Sequence, residues 1–355
     1  MIDFKLLKKK NQAVEVFSKK HLTEKSHKSL CGCWDWTSLN ADKELKKMRV
    51  HEAPTCKKRV CAICTSLKSL KEAVKLSVVM DWISDVHEKE YIFMTFSAKN
   101  VTGGELPFEF MNFNKAIARF RKLKEVLAIN CGMARKFEVT YSDEETITRD
   151  MWKGTGRYKK PMADYFKRRG LKVGDPNPNF DTYNLHVHAI IAVDKHYFTS
   201  RQYISQKKWL ELWQRSMRDP SITHFHVQRL KKSPGEGRKE VHEIAKYAVK
   251  VGDLARNQDV FDVMYVSTYK KRLITFNGLF KDGISKYKEY LEYKKADKPH
   301  EFDKYVTPDM TEYFYRMTYH WNGNEYDEPQ KRELTPEEIA RISRIAFTED
   351  YELED

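Results

Sequence analysis

Two histidines separated by one residue sit in the run Asn184-Leu185-His186-Val187-His188-Ala189-Ile190-Ile191-Ala192-Val193. Alternate side chains of a strand share a face, so His186 and His188 point the same way with Cα atoms roughly 6.5 Å apart. From that distance two imidazoles can converge on one ion. A hard divalent ion also draws a carboxylate. Glu138 lies in a second strand-like run, Arg135-Lys136-Phe137-Glu138-Val139-Thr140-Tyr141, where an acid needs water or a ligand to face. Mixed histidine and carboxylate ligation suits Mg²⁺, Mn²⁺ or a transition metal. Alone, an i, i+2 histidine pair fits a hydrogen-bonded core equally well.

Further along, Glu243, Tyr247 and Lys250 stand at i, i+4 and i+7. On a helix these positions fall within an arc of about 60°, a possible catalytic edge. A phenol with a pKa of about 10 is a poor nucleophile until its proton is removed or its anion stabilised. A neighbouring ammonium lowers that pKa, and a carboxylate can take the proton. The plain alternative is an exposed amphipathic helix with a Glu–Tyr pair and a solvated lysine.

The third group is sulfur. Five of the six cysteines, Cys31, Cys33, Cys56, Cys61 and Cys64, fall within 34 residues, while Cys131 stands apart as a core-packing residue. The N-terminus lacks the apolar core of a secretion signal, which predicts a reducing, cytoplasmic setting where clustered thiols read as metal ligands before disulfides. Cys56-x4-Cys61-x2-Cys64 supplies three thiolates at spacings that a tetrahedral Zn²⁺ accepts. The fourth is Cys31 or Cys33.

These groups need a body to hold them. The 355 residues include 41% hydrophobic and 13% aromatic residues, ample for a packed core. The formal charge is +14, with 65 Lys plus Arg against 51 Asp plus Glu. From Tyr326 to Asp355 ten acids face four bases, which leaves about +20 on the preceding 325 residues. A basic body of this kind suits a polyanionic partner such as DNA. The lysine run Lys8-Lys9-Lys10 reads either as a solvated arm or as a phosphate contact. No stretch approaches the ~18 apolar residues of a membrane span.

The chain divides into three regions. Residues 1–85 form a Cys-rich, basic, zinc-binding module. Residues 86–255 alternate strand-like and helix-like patterns. Residues 256–355 read as mostly helical with an acidic tail. In the middle region strands are predicted over Tyr91–Ser97, Ala134–Tyr141, Leu185–Val193 and Thr223–Leu230, with helices over Phe108–Ala128, Ser200–Arg218 and Lys239–Val251. Ser142–Thr182 reads as a charged loop, and Lys231–Arg238 as a flexible basic loop. Leu185–Val193, apolar beyond its histidines, is the central strand. The fold class is α+β, an antiparallel sheet with helices packed on it.

In this order the motifs resemble those of the rolling-circle replication initiators of small Gram-positive plasmids, within the HUH endonuclease class. The segment Phe93-Met94-Thr95-Phe96-Ser97-Ala98-Lys99-Asn100 with Leu106 resembles the first motif. His186-Val187-His188 resembles the metal motif, and Glu243-x3-Tyr247-x2-Lys250 the third. Cys56-Lys57-Lys58-Arg59-Val60-Cys61-Ala62-Ile63-Cys64 resembles a cysteine segment that precedes the nuclease. Together these cover roughly residues 30–255. Cys31-Gly32 resembles that segment more closely than Cys33 does, which favours Cys31 as the fourth zinc ligand. Asn184-Leu185 departs from the family, which usually carries a proline just before the histidines.

The resemblance implies an HUH-type nuclease core and a role for each motif. Tyr247 would attack a DNA phosphodiester and form a 5′-phosphotyrosine, leaving a 3′-hydroxyl to prime synthesis. His186 and His188, with Glu138, would hold a catalytic Mn²⁺ or Mg²⁺. Glu243 would activate water at termination, and Lys250 would position the phosphate or assist the phenol. The partners implied are origin DNA, double-stranded overall and single-stranded at the nick, a host helicase and polymerase, and a second copy of the chain. Rival readings are a relaxase or single-tyrosine transposase of the same class, and a non-catalytic zinc-containing DNA-binding regulator.

Overall fold

The structure, a computed structural model, describes residues 3–156, 158, 160–230, 241, 244 and 251–342. Two antiparallel sheets organise it. The smaller contains β1 (Trp36–Ala41), β2 (Met48–Glu52), β8 (Tyr315–His320) and β9 (Gln330–Glu333), in the order β2-β1-β8-β9. The larger contains β3 (Lys89–Ser97), β4 (Gly132–Ser142), β5 (Thr182–Asp194), β6 (Phe225–Leu230) and β7 (Ile274–Gly278), in the order β6-β3-β5-β4-β7.

β5 is the middle strand, and from Val187 to Val193 every residue is buried. A strand covered on both faces loses the alternation of a half-exposed one and reads as a continuous apolar run. On one face Phe96, Phe137, Val187 and Ile191 meet the Leu106–Arg121 and Gln206–Met217 helices. Phe96 is the hub there, with ring centroids 4.8 Å from Trp213 and 5.0 Å from both Phe120 and Phe225. Trp213 also donates its indole N–H to Ser97 O at 2.8 Å, satisfying its polar end.

On the other face Tyr91, Phe93, Ala134, Ile190 and Ala192 pack with the Ala62–Val86 and Leu279–Lys295 helices. Those two helices touch at Gly283. A Cβ there would stand 2.5 Å from Val79 Cγ1 and 3.3 Å from the Trp82 ring, so only glycine allows this approach.

Several expectations need correction. Among the described residues after 255, strands stand beside the helices: β7 joins the large sheet, and β8 pairs with β1 across some 280 residues of sequence. β9 is fully exposed Gln-Lys-Arg-Glu, a charged edge strand with no apolar alternation to announce it. Ser142–Thr182 contains the short helices Arg149–Lys153 and Lys160–Arg168, which close over a small core of Ile147, Met151 and Phe166. The helix expected over Phe108–Ala128 is two, Leu106–Arg121 and Lys124–Leu127. Of the predicted Lys239–Val251 helix only Val241, Ile244 and Val251 are described, all helical, and the Lys231–Arg238 loop lies outside the described residues. Among the described residues no helix is long and apolar enough to cross a membrane.

Candidate active site and metal centres

The register of the large sheet assembles the first cluster. Glu138 of β4 lies directly opposite His186 of β5, and Thr95 of β3 lies directly opposite His188. Side chains directly opposite across an antiparallel pair share a face with Cβ atoms roughly 4.5–5.5 Å apart. Glu138 Oε2 therefore receives both imidazoles, His188 Nε2 at 3.1 Å and His186 Nε2 at 3.4 Å. Donor atoms bound at about 2.1 Å to one cation sit about 3.0 Å apart along an octahedral edge and about 3.4 Å apart along a tetrahedral one. The two Glu138–histidine distances match that spacing.

The surroundings orient these side chains. Thr95 Oγ1 lies 3.1 Å from His188 Nδ1, and the Phe93 ring stacks on His188 with centroids 5.5 Å apart. His186 Nδ1, on the ring edge away from Glu138, is buried with no hydrogen-bond partner among the described residues. Glu138 is 6% exposed. Burial disfavours its ionisation, but the two histidines outweigh that cost by hydrogen bonding and charge and hold its carboxyl well below the usual range. The site thus holds an ionised carboxylate against two imidazoles, largely buried and preassembled. Thr95 is the residue that sequence reasoning did not single out for this site, because its partner is visible only once the β3–β5 register is known.

Glu243, Tyr247 and Lys250 lie outside the described residues. Their neighbours Val241 and Ile244 are described. Both are helical, both are 1% exposed, and both belong to the apolar cluster that includes Phe93 and Ile190 on the histidine face of the sheet.

The second cluster is sulfur. Cys33, Cys56, Cys61 and Cys64 converge, all buried. Cys33 Sγ lies 3.6 Å from both Cys61 Sγ and Cys64 Sγ, and Cys56 Sγ lies 3.7 Å from Cys64 Sγ. A disulfide needs about 2.05 Å, so these are free thiols. A tetrahedron with metal–sulfur bonds of about 2.3 Å has edges of about 3.8 Å, close to what is found. The backbone N–H groups of Cys56, Lys57 and Cys64 donate to these sulfurs, as thiolates require.

Of the two candidates for the fourth position, Cys31 and Cys33, it is Cys33 that joins the cluster. Cys31 ends the Glu24–Cys31 helix with its sulfur 3.8 Å from His27 Nδ1, one turn back. Cys33 lies beyond the Gly32 cap, on the turn that carries the chain into β1. Both clusters are compatible with metal binding, one through hard oxygen and imidazole donors, the other through soft thiolates.

The family profile of replication proteins matches residues 47–328. The chain belongs to the replication-protein family of plasmid initiators. Over 252 residues it is 33% identical to a "Protein rep" of Staphylococcus aureus, an alignment covering 71% of this chain and 93% of that relative. A "Protein rep" of a Bacillus species is 25% identical over 279 residues, or 73% of this chain and 79% of the relative. One from Streptococcus pneumoniae is 25% identical over 240 residues, or 66% and 64%. No solved structure matches the chain. The matched stretch spans Glu138, both histidines, Tyr247 and three of the four clustered cysteines; Cys33 lies before it.

Proposed function

We propose that this initiator nicks its plasmid origin with Tyr247 and stays joined to the 5′ end through a phosphotyrosine. The observation that carries the reading is the convergence of Glu138, His186 and His188 on one point of the sheet face. That face is the one on which Val241 and Ile244 are buried, and Tyr247 follows Ile244 by three residues. Whatever the conformation between them, three residues span at most about 11 Å. The basic excess of the chain suits a DNA partner, double-stranded at the origin and single-stranded at the cut.

In the proposed step Tyr247 Oη forms a bond to phosphorus as the bond to the 3′ oxygen breaks. The phenolic proton passes to a base, and the departing oxygen takes up a proton to become the priming 3′-hydroxyl. A Mn²⁺ or Mg²⁺ held by Glu138, His186 and His188 would supply charge for the scissile phosphate. Glu243 serves at termination by taking a proton from water, whose oxygen then displaces the tyrosine from phosphorus. Lys250 positions the phosphate. Zn²⁺ is the cation proposed for Cys33, Cys56, Cys61 and Cys64, in a structural role.

The test is to mix the protein and Mn²⁺ with supercoiled plasmid carrying its own gene and flanking DNA. Denaturing gels and mass spectrometry then locate any DNA adduct. The expected outcome is an adduct on Tyr247, absent in Tyr247→Phe although that variant still binds DNA. A Tyr247→Phe protein that still forms the adduct removes Tyr247 from the role. Glu243→Ala should make the first nick and accumulate the adduct, and normal release by that variant would contradict the part given to Glu243.

A further inference from the structure

Two side chains of the Phe4–Ser18 helix reach the sulfur cluster, and both lie upstream of the family match at residues 47–328. Asn11 is completely buried and uses both ends of its amide. Its Oδ1 accepts from Ala62 N–H at 2.6 Å, and its Nδ2 donates to Cys61 Sγ at 3.1 Å. A backbone N–H can only donate, so the amide oxygen must face Ala62 and the NH₂ must face sulfur.

Lys8, 2% exposed, donates Nζ to Cys31 O at 2.9 Å, Cys33 O at 2.7 Å and Asp35 Oδ1 at 2.7 Å. Three acceptors use all three ammonium hydrogens. A lysine is rarely buried unless paired, and here it is satisfied by the turn that delivers Cys33. Phe4 adds a stack on Trp34, the next residue, with ring centroids 4.0 Å apart.

We infer that Asn11 is a positioning residue for the four-cysteine metal centre, and that Lys8 fixes the Cys33 turn within it. This rests on the reading of the cysteine cluster as a metal centre. Four thiolates around a divalent ion carry a net charge of −2 in a site closed to water. Such sulfurs need N–H donors, and Asn11 adds a side-chain donor to the three backbone ones. It does so at Cys61, the residue that caps the Ala62–Val86 helix. The Lys8 ammonium brings positive charge to the same dry region. The N-terminal helix is therefore part of the metal site, and Lys8 is neither a solvated arm nor a phosphate contact.

The test is zinc release from the full-length, zinc-loaded protein into an excess of a chromogenic chelator, together with the absorption spectrum of the Co²⁺-substituted protein. Asn11→Asp keeps an acceptor for Ala62 N–H and replaces the donor that faces sulfur by a carboxyl oxygen; because a buried carboxyl also costs stability, the cobalt band is the readout that a purely structural role would not move. Removing an outer partner of a metal ligand typically costs roughly 10- to 100-fold in affinity. Asn11→Asp should lose zinc faster by that order and shift the thiolate-to-cobalt charge-transfer band. Lys8→Met should speed release and leave the band in place.

Release at the wild-type rate from Asn11→Asp overturns the role of Asn11, and from Lys8→Met that of Lys8. Should Asn11→Asp fail to fold, Asn11→Ala carries the same decision, with release at the wild-type rate again overturning it. A wild-type protein that takes up no zinc overturns the metal reading itself, a failure distinct from zinc uptake with unchanged release.

Discussion

At the residue scale, which nitrogen of His188 faces an ion depends on what holds the other. The Thr95 hydroxyl contacts Nδ1, leaving Nε2 toward Glu138. Such outer partners fix tautomer and ring direction and carry roughly 10- to 100-fold in metal affinity. Thr95→Val, close in shape but without the hydroxyl, should raise the Mn²⁺ concentration for half-maximal nicking by about that factor, with near-normal nicking at saturating Mn²⁺. An unchanged Mn²⁺ midpoint would remove Thr95 from the site. The histidine pair and Glu138 were legible in the sequence, because an acid and two imidazoles in apolar strands are costly to bury unless each has a partner to face. Thr95 was not, since its meaning depends on strand register. Nor could spacing separate Cys31 from Cys33. A helix cap at Gly32 turns one thiol toward His27 and the other inward, and that is a backbone event.

At the element scale, the Ala62–Val86 helix connects the two clusters. Cys61 and Cys64 stand at its start, and farther along it packs on the sheet face that carries the histidines. The Leu279–Lys295 helix presses on it at Gly283. Gly283→Ala must push aside Val79, a buried side chain with little room to move, and overpacking of this kind costs about 1–3 kcal/mol. A denaturant titration should show that loss in the midpoint with little change in slope; an unchanged midpoint would mean that the two helices part freely. The strands β3 to β6 were legible because their apolar, β-branched and aromatic runs stand out against charged flanks. The β1, β2, β8 and β9 sheet was hidden, because its strands are short and largely polar and its central pairing joins opposite ends of the chain. Local patterns carry no record of such a pairing.

At the scale of the whole molecule, two donor sets of opposite character are kept apart. Cys61 and Cys64 are fully buried, with Cys33 and Cys56 nearly so, a closed site suited to a structural ion. The histidine site is partly open, His186 keeping 14% of its side chain exposed, and three protein ligands, as proposed, would leave coordination positions for phosphate oxygen. The sulfur site joins the turn before β1 to the start of the helix over the histidine face, and β1 pairs with β8. Metals bound as proposed at the two sites should therefore separate by chelation. Brief EDTA treatment should stop nicking, Mn²⁺ should restore it, and the zinc content should stay constant throughout. An organomercurial that captures thiolates should release the zinc, lower the melting temperature and leave a protein that Mn²⁺ no longer rescues. If EDTA removed zinc in step with activity and Mn²⁺ failed to restore nicking, the closed and open sites would not be independent. The division of labour between sulfur and imidazole would then have to be abandoned.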